Sequence, residues 1–227
     1  LRIWYRKIVS RWIDAIDCNG ILCGEYVRSL GFDSKRLTFG HMVADISGMS
    51  RTIQNIANED IVKVKKELKI PPKGLMILFV GQLIPIKGVD QLLTAWKQFK
   101  SHCKENCTLV YVGYGRLEQP LRDRIVNEKI QDVILIGGID YDSIAQYYKA
   151  ADCFILPTVE DNWSLVVPEA MACGLPVATT IYNGCHPELI TKENGWVFDT
   201  YNEQSIIDTL QNIVNNKERL KEMGEVS

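Results

Sequence analysis

Long apolar runs, a visible signal-peptide pattern and a charge imbalance are what this 227-residue sequence does not show. No uninterrupted apolar stretch reaches the roughly 18 residues of a membrane-spanning helix, so none is expected. No basic segment followed by an apolar core and a small-residue cleavage site opens the chain. Lys and Arg number 26 against 28 Asp and Glu, a net charge of −2, which gives no reason to expect nucleic acid as a partner. Histidines number only three, and His41 and His186 stand alone in loop-like sequence, which assigns them no catalytic role. Cysteines number seven, an odd count at irregular spacing, which argues against a disulfide framework. Several lie in apolar runs, such as Cys153 in Asp152-Cys-Phe-Ile-Leu156, so buried, reduced thiols in a cytoplasmic protein fit best. His102, Cys103 and Cys107 cluster, but no second ligand pair lies at a useful spacing, so no metal site is expected.

What is present is globular: hydrophobic residues make up 46% of the chain and charged residues 24%. The first 50 residues differ from the rest. Residues 1–16 mix Arg2, Arg6, Lys7 and Arg11 with Ile3, Trp4, Ile8, Val9, Trp12 and Ile13 at helical spacing, which predicts one amphipathic helix. Such a helix packs on a parent domain, or lies as a peripheral contact on the anionic inner face of a membrane. A short apolar run over 20–24, a helix over 25–30 capped by Gly31, and a strand within 37–50 running into a linker complete this part. The chain starts at Leu1 inside a helical pattern, as a piece of a longer protein would.

From residue 51 the pattern is regular: apolar strands at 75–80, 109–112, 133–136, 153–156, 176–180 and 196–198 alternate with helices. Continuous apolar strands between helices predict an α/β fold with a doubly wound, parallel, Rossmann-like sheet covered on both faces. Ligands of such sheets bind beyond the carboxyl ends of the strands. Four strands end there at Gly81, Gly113, Gly137 and Pro157, where a ligand can approach the backbone.

Two of these strand ends carry chemistry. After the first, Lys87 stands just before a helix, and a lysine beside free helical N–H groups suits a diphosphate. After the fourth comes Pro157-Thr-Val-Glu-Asp-Asn-Trp-Ser-Leu-Val-Val-Pro-Glu-Ala-Met-Ala-Cys-Gly174. Pro168 belongs in a first helical turn, so the helix starts near 165–167 with Glu169 close behind and Asp161 in the loop ahead. Both carboxylates then face one cleft, although a first-turn acid also complements the helix dipole and an acidic loop is often merely solvated. Gly113-Tyr-Gly115 lacks the third glycine of a dinucleotide fingerprint, with Glu118 in its place, and does not follow the first strand, so NAD(P) is rejected.

In these segments the sequence resembles the C-terminal domain of the retaining GT-B glycosyltransferases of family 4. The carrying segments are Val80-Gly-Gln-Leu-Ile-Pro-Ile-Lys-Gly88, Tyr111-Val-Gly-Tyr-Gly115, Ile134-Leu-Ile-Gly-Gly138, Ala151-Asp-Cys-Phe-Ile-Leu-Pro157, residues 161–177, Asn183-Gly-Cys-His-Pro-Glu-Leu-Ile190 and Asn194-Gly-Trp-Val-Phe198. The resemblance implies a nucleotide-sugar-binding domain over 51–227, with 1–50 as the tail of an N-terminal domain and a linker. It implies a UDP- or GDP-linked sugar donor, no metal and no resident cofactor, and a glycan or lipid-linked acceptor, as in surface polysaccharide synthesis. Lys87 matches a diphosphate contact, and Gln82 stands where the family usually has an arginine, one charge fewer. Asp161 matches the first acid of a paired-acid motif, usually Glu, at the hydroxyls of the transferred sugar, with Glu160 beside it in a less favourable register. Glu169 matches the second acid, at the ribose hydroxyls. Ser164, Leu165 and Val166 match a turn whose N–H groups face the phosphates. Gly137 and Gly138 match backbone contacts to the base, beside Gly81 at the end of the first strand. The piece itself is expected to bind donor weakly and transfer nothing. Two rivals share the fold: a nucleotide-sugar epimerase and a non-catalytic nucleotide-binding module.

Overall fold

A computed structural model describes residues 2–40 and 42–227, and of residue 142 only the backbone. His41 lies outside the described residues, as does Leu1 of the expected first helix. The N-terminal part holds α1 (Arg2–Val9), β1 (Ile16–Cys18), α2 (Ile21–Ser29) and β2 (Leu37–Phe39). Two helices, α3 (Ile46–Gln54) and α4 (Asn58–Glu67), lead into the main sheet. Then β3 (Leu75–Val80), α5 (Val89–His102), β4 (Cys107–Val112), α6 (Glu118–Asn127), β5 (Val133–Gly137) and α7 (Tyr141–Ala150) follow in strict alternation. The second half continues with β6 (Cys153–Leu156), α8 (Val166–Ala172), β7 (Val177–Thr180), α9 (His186–Leu189) and β8 (Gly195–Phe198). Helices α10 (Glu203–Asn215) and α11 (Leu220–Val226) end the order.

The main sheet has six parallel strands in the order β5-β4-β3-β6-β7-β8. This is the doubly wound α/β architecture that the alternation predicts. The two central strands, β3 and β6, are apolar along their whole length because helices cover both faces. Residues 76–79 of β3 and all four residues of β6 are fully buried. Helix α5 turns Val89, Leu92, Leu93, Trp96 and Phe99 inward at helical spacing, all at most 2% exposed. The Trp96 indole N–H donates to the Gln131 carbonyl at 3.0 Å, so its one polar atom is satisfied in the core.

The N-terminal part departs from expectation in three places. The first helix ends at Val9 and a single 3-10 turn takes the chain to Ile13, which is extended, so there is no continuous helix over 1–16. Ser10 bonds back to the Lys7 carbonyl at 2.9 Å, the local competition that weakens helices at serine. Helix α2 begins at Ile21, not at 25. Its first N–H donates to Glu188 Oε1 at 2.7 Å, a cap from 167 residues away that no local pattern announces. The strand within 37–50 stops at Phe39, and α3 starts where Asp45 accepts from the Gly48 N–H at 2.8 Å. Met49 and Ile53 of α3 are buried, and the helix packs on α7 and α8.

A crevice at the strand-order switch

The strand order reverses between β3 and β6, so the loops after these two strands face one crevice. Lys87 lies on the first loop and Asp161 on the second. Their side chains meet, with Lys87 Nζ 2.5 Å from Asp161 Oδ2 and exposures of 23% and 15%. Asp161 Oδ2 also accepts from the Ser164 hydroxyl at 2.5 Å, and Oδ1 from the Trp163 N–H at 3.2 Å. Among the described residues the carboxylate therefore has three donors, one of them cationic.

Backbone bonds sew three loops into this arrangement. Val159 N–H and the Thr158 hydroxyl both donate to the Ile86 carbonyl, at 2.9 and 3.0 Å, tying the Asp161 loop to the Lys87 loop. Asp161 N–H donates to the Tyr182 carbonyl at 3.2 Å, and Gly184 N–H to the Asp161 carbonyl at 2.7 Å, tying it to the loop after β7. Asn183, fully buried, donates to Thr179 Oγ1 at 3.0 Å and holds that third loop. Gly88 closes the Lys87 turn at φ 67°, and a Cβ there would stand 1.8 Å from the Pro157 carbonyl oxygen. Only glycine meets both conditions.

At the ends of β3, β4 and β5 lies a cavity of about 220 Å³ lined by Gly81, Gln82, Gly113, Tyr114, Gly138 and Ile144 among others. Of the expected donor contacts Gly81, Gln82 and Gly138 line it. Gly137 does not, and its carbonyl already accepts from the Gly113 N–H at 2.8 Å. The Gly-x-Gly turn has its own cause: a Cβ on Gly113 would sit 1.8 Å from the Gly81 carbonyl oxygen, so loop packs on loop there. Tyr114, two-thirds exposed at the rim, carried no sequence signal beyond its place between two glycines.

Helix α8 starts at Val166, with Pro168 in its first turn as the sequence requires. Ser164 is buried and Leu165 and Val166 open the helix, so their N–H groups belong to the set lacking intrahelical partners. Glu169 is 8% exposed, and its carboxylate is not in the Lys87–Asp161 cluster of bonds. Oε2 accepts from the Tyr148 hydroxyl at 3.2 Å. Burial pushes the Glu169 carboxyl above the usual carboxylate range, while bonds from Tyr148 and Tyr141 pull it back down. His186, expected in a loop, opens the one-turn α9, and its Nδ1 lies 2.9 Å from the Asn183 carbonyl. All seven cysteines are unpaired, and burial raises the Cys153 thiol well above its ordinary range. Among the described residues no helix is long and apolar enough to cross a membrane.

A six-stranded parallel sheet with helices on both faces and its order reversing between β3 and β6 places the chain in the class of doubly wound α/β domains. Residues 60–227 match the Glycosyl transferases group 1 family, and the chain belongs to it. An uncharacterised glycosyltransferase of Haemophilus influenzae is 32% identical over 180 residues, 78% of this chain and 50% of that protein. A GDP-mannose-dependent monoacylated α-(1-6)-phosphatidylinositol monomannoside mannosyltransferase of Corynebacterium glutamicum is 28% identical over 173 residues, 73% of this chain and 45% of that protein. The chain thus spans about half the length of these curated relatives. Among solved structures, HepE of Anabaena in complex with UDP and glucose superposes with a TM-score of 0.77 at 17% identity, covering 99% of this chain and 61% of that one. That likeness shows the GT-B type of α/β fold.

Proposed function

We propose that this chain is the donor-binding part of a retaining family 4 glycosyltransferase, which moves a sugar from a nucleoside diphosphate to an acceptor hydroxyl. Residues 51–227 form the donor domain in this reading, and 1–50 the end of an acceptor-side domain with its linker. The reading rests on one observation: Lys87 and Asp161, from the loops after β3 and β6, meet at the switch point of the sheet. Names of relatives support it, one of them GDP-mannose-dependent, and so does the UDP bound by HepE.

The chemistry follows from the charges. The bond from the anomeric carbon to the diphosphate breaks as the bond to the acceptor oxygen forms on the same face. Nucleoside diphosphate and the acceptor proton leave. Lys87 and the amino end of α8 take up charge that grows on the leaving diphosphate. Gln82 adds a hydrogen bond without charge. Binding transfers Lys87 from Asp161 to phosphate, and frees Asp161 to accept from hydroxyls of the sugar. Glu169 accepts from the ribose, and the cavity beside Gly138 receives the base. The acceptor, a glycan or lipid-linked hydroxyl, is held from the side of residues 1–50.

Calorimetric titration with UDP and with GDP tests the reading. Saturable binding of one, strengthened by its attached sugar, is expected. Binding of neither would favour a scaffold, and interconversion of free nucleotide sugars would favour an epimerase.

A further inference from the structure

Among the described residues, Glu169 is met by phenols rather than by a cation. Tyr148 of α7 is fully buried, and its hydroxyl donates to Glu169 Oε2 at 3.2 Å. A buried phenol needs an acceptor for its O–H, and this carboxylate supplies it. Tyr141 stands seven residues earlier, two turns along the same helix face, and brings a second hydroxyl to the same group. We propose that Tyr148, assisted by Tyr141, is a positioning residue for nucleotide binding: it fixes the rotamer of Glu169, so that the carboxylate's remaining lone pairs meet the two adjacent ribose hydroxyls. This rests on the donor-site reading above.

The electrostatics agree with the geometry. Burial raises Glu169, and the two phenol bonds are what lower it. Burial also holds Tyr148 well above the usual phenol range, so it stays a neutral donor. Other titratable groups nearby act less directly. Cys173, just past the end of the helix that carries Glu169, is pushed by burial to about 12 and is neutral. Lys149 of α7 faces Cys173, and Asp45, ahead of α3, faces Tyr141. Removing the Tyr148 hydroxyl leaves the burial and takes away a donor. Glu169 should then protonate at higher pH, and a protonated carboxyl accepts poorly from ribose.

The experiment is calorimetric titration of UDP (or of GDP, should UDP not bind) from about pH 5 to pH 8, a span that runs upward from the ordinary carboxylate range. The unmodified protein is compared with Tyr148→Phe, Tyr141→Phe and Glu169→Gln. The ligand's own ionisation is common to all four and cancels in the ratios. Tyr148→Phe should bind within about twofold of the unmodified protein at the alkaline end and about tenfold more weakly at the acid end. Tyr141→Phe should shift in the same direction by less. Glu169→Gln should be weak and flat across the range. A Tyr148→Phe loss that is equal at every pH would mean a packing role only and overturns the inference. If that variant does not fold, judged by its far-ultraviolet circular dichroism, the Tyr141→Phe profile decides, and an unshifted one overturns it. Unchanged affinity in Glu169→Gln would instead overturn the placement of the nucleotide, and this inference with it.

Discussion

Two tryptophans describe the two ends of this molecule. Trp96 in α5 is 0% exposed and Trp12 near the amino end is 84% exposed. Around Trp96 stands a six-stranded sheet whose inner strands are sealed on both faces. Around Trp12 stands a pair of three-residue strands over a small core of Cys18, Val27 and Phe32, with α1 burying none of its residues. Cooperative rigidity needs dense apolar packing, so the two regions should differ in local stability. The crevice with Lys87 and Asp161 hangs from the rigid sheet, as a preorganised charge site requires. Yet the lighter part leans on it. Glu188 caps α2, and a Cβ on Gly20 would come within 2.8 Å of the Trp163 ring, in the loop that bears Asp161.

The contrast breaks first on stability. Trp96→Ala should cost about 3–5 kcal/mol in urea unfolding, through the cavity and the lost indole bond. Trp12→Ala should stay within about 0.5 kcal/mol. Comparable losses would show that the exposed tryptophan has a packing role the structure does not give it. Next in size is charge. Lys87→Ala should weaken UDP binding by about 10- to 100-fold, the worth of one or two charge-assisted hydrogen bonds, measured by calorimetry. Lys7→Ala, on α1, should leave that affinity unchanged, and a matching loss there would put phosphate recognition at the wrong end. Smaller still is release of the ion pair. Asp161→Asn should raise the affinity for UDP lacking its sugar by a few-fold, because a partly buried lysine no longer has to leave a carboxylate. It should weaken the added grip of the sugar. A fall in UDP affinity would place Asp161 on the nucleotide itself.

The same contrast governs what the sequence discloses. Strands such as β3 and β6 are read to the residue because burial on both faces imposes one unbroken apolar run. The start of α8 is legible because Pro168 fits only a first turn. That Lys87 and Asp161 both lie at the carboxyl ends of strands follows from strand alternation, whereas their sharing one crevice depends on the strand order, which puts β3 beside β6. The amino-terminal elements are misjudged because their causes are distant: α2 starts where Glu188 reaches it, a fact stored 167 residues away. Gly113 looks like half a nucleotide fingerprint, and only the nearness of the Gly81 carbonyl gives its real reason. Tyr148 is invisible for a like cause. A tyrosine on an apolar helix face reads as core, and its hydroxyl acquires a role only when α8 brings Glu169 beside it.

The finest test asks whether the crevice carries a cost that its surroundings bear. Glu169 is raised by burial relative to an unfolded carboxyl. A group raised on folding contributes stability that is whole below its unfolded pKa and is lost as pH rises through the folded one. At neutral pH the ionised, buried Glu169 therefore works against the fold. Glu169→Gln keeps the shape and an acceptor for Tyr148, and removes the charge. Its melting temperature should exceed that of the unmodified protein at pH 7, on the order of 2–4 °C for a chain of this length. The advantage should shrink toward acid pH, where Glu169 is protonated in both states. Equal melting at every pH would mean that the tyrosine bonds fully offset burial. The acid would then be as comfortable in the crevice as in water, and the contrast between a strained site and its relaxed appendage would be gone.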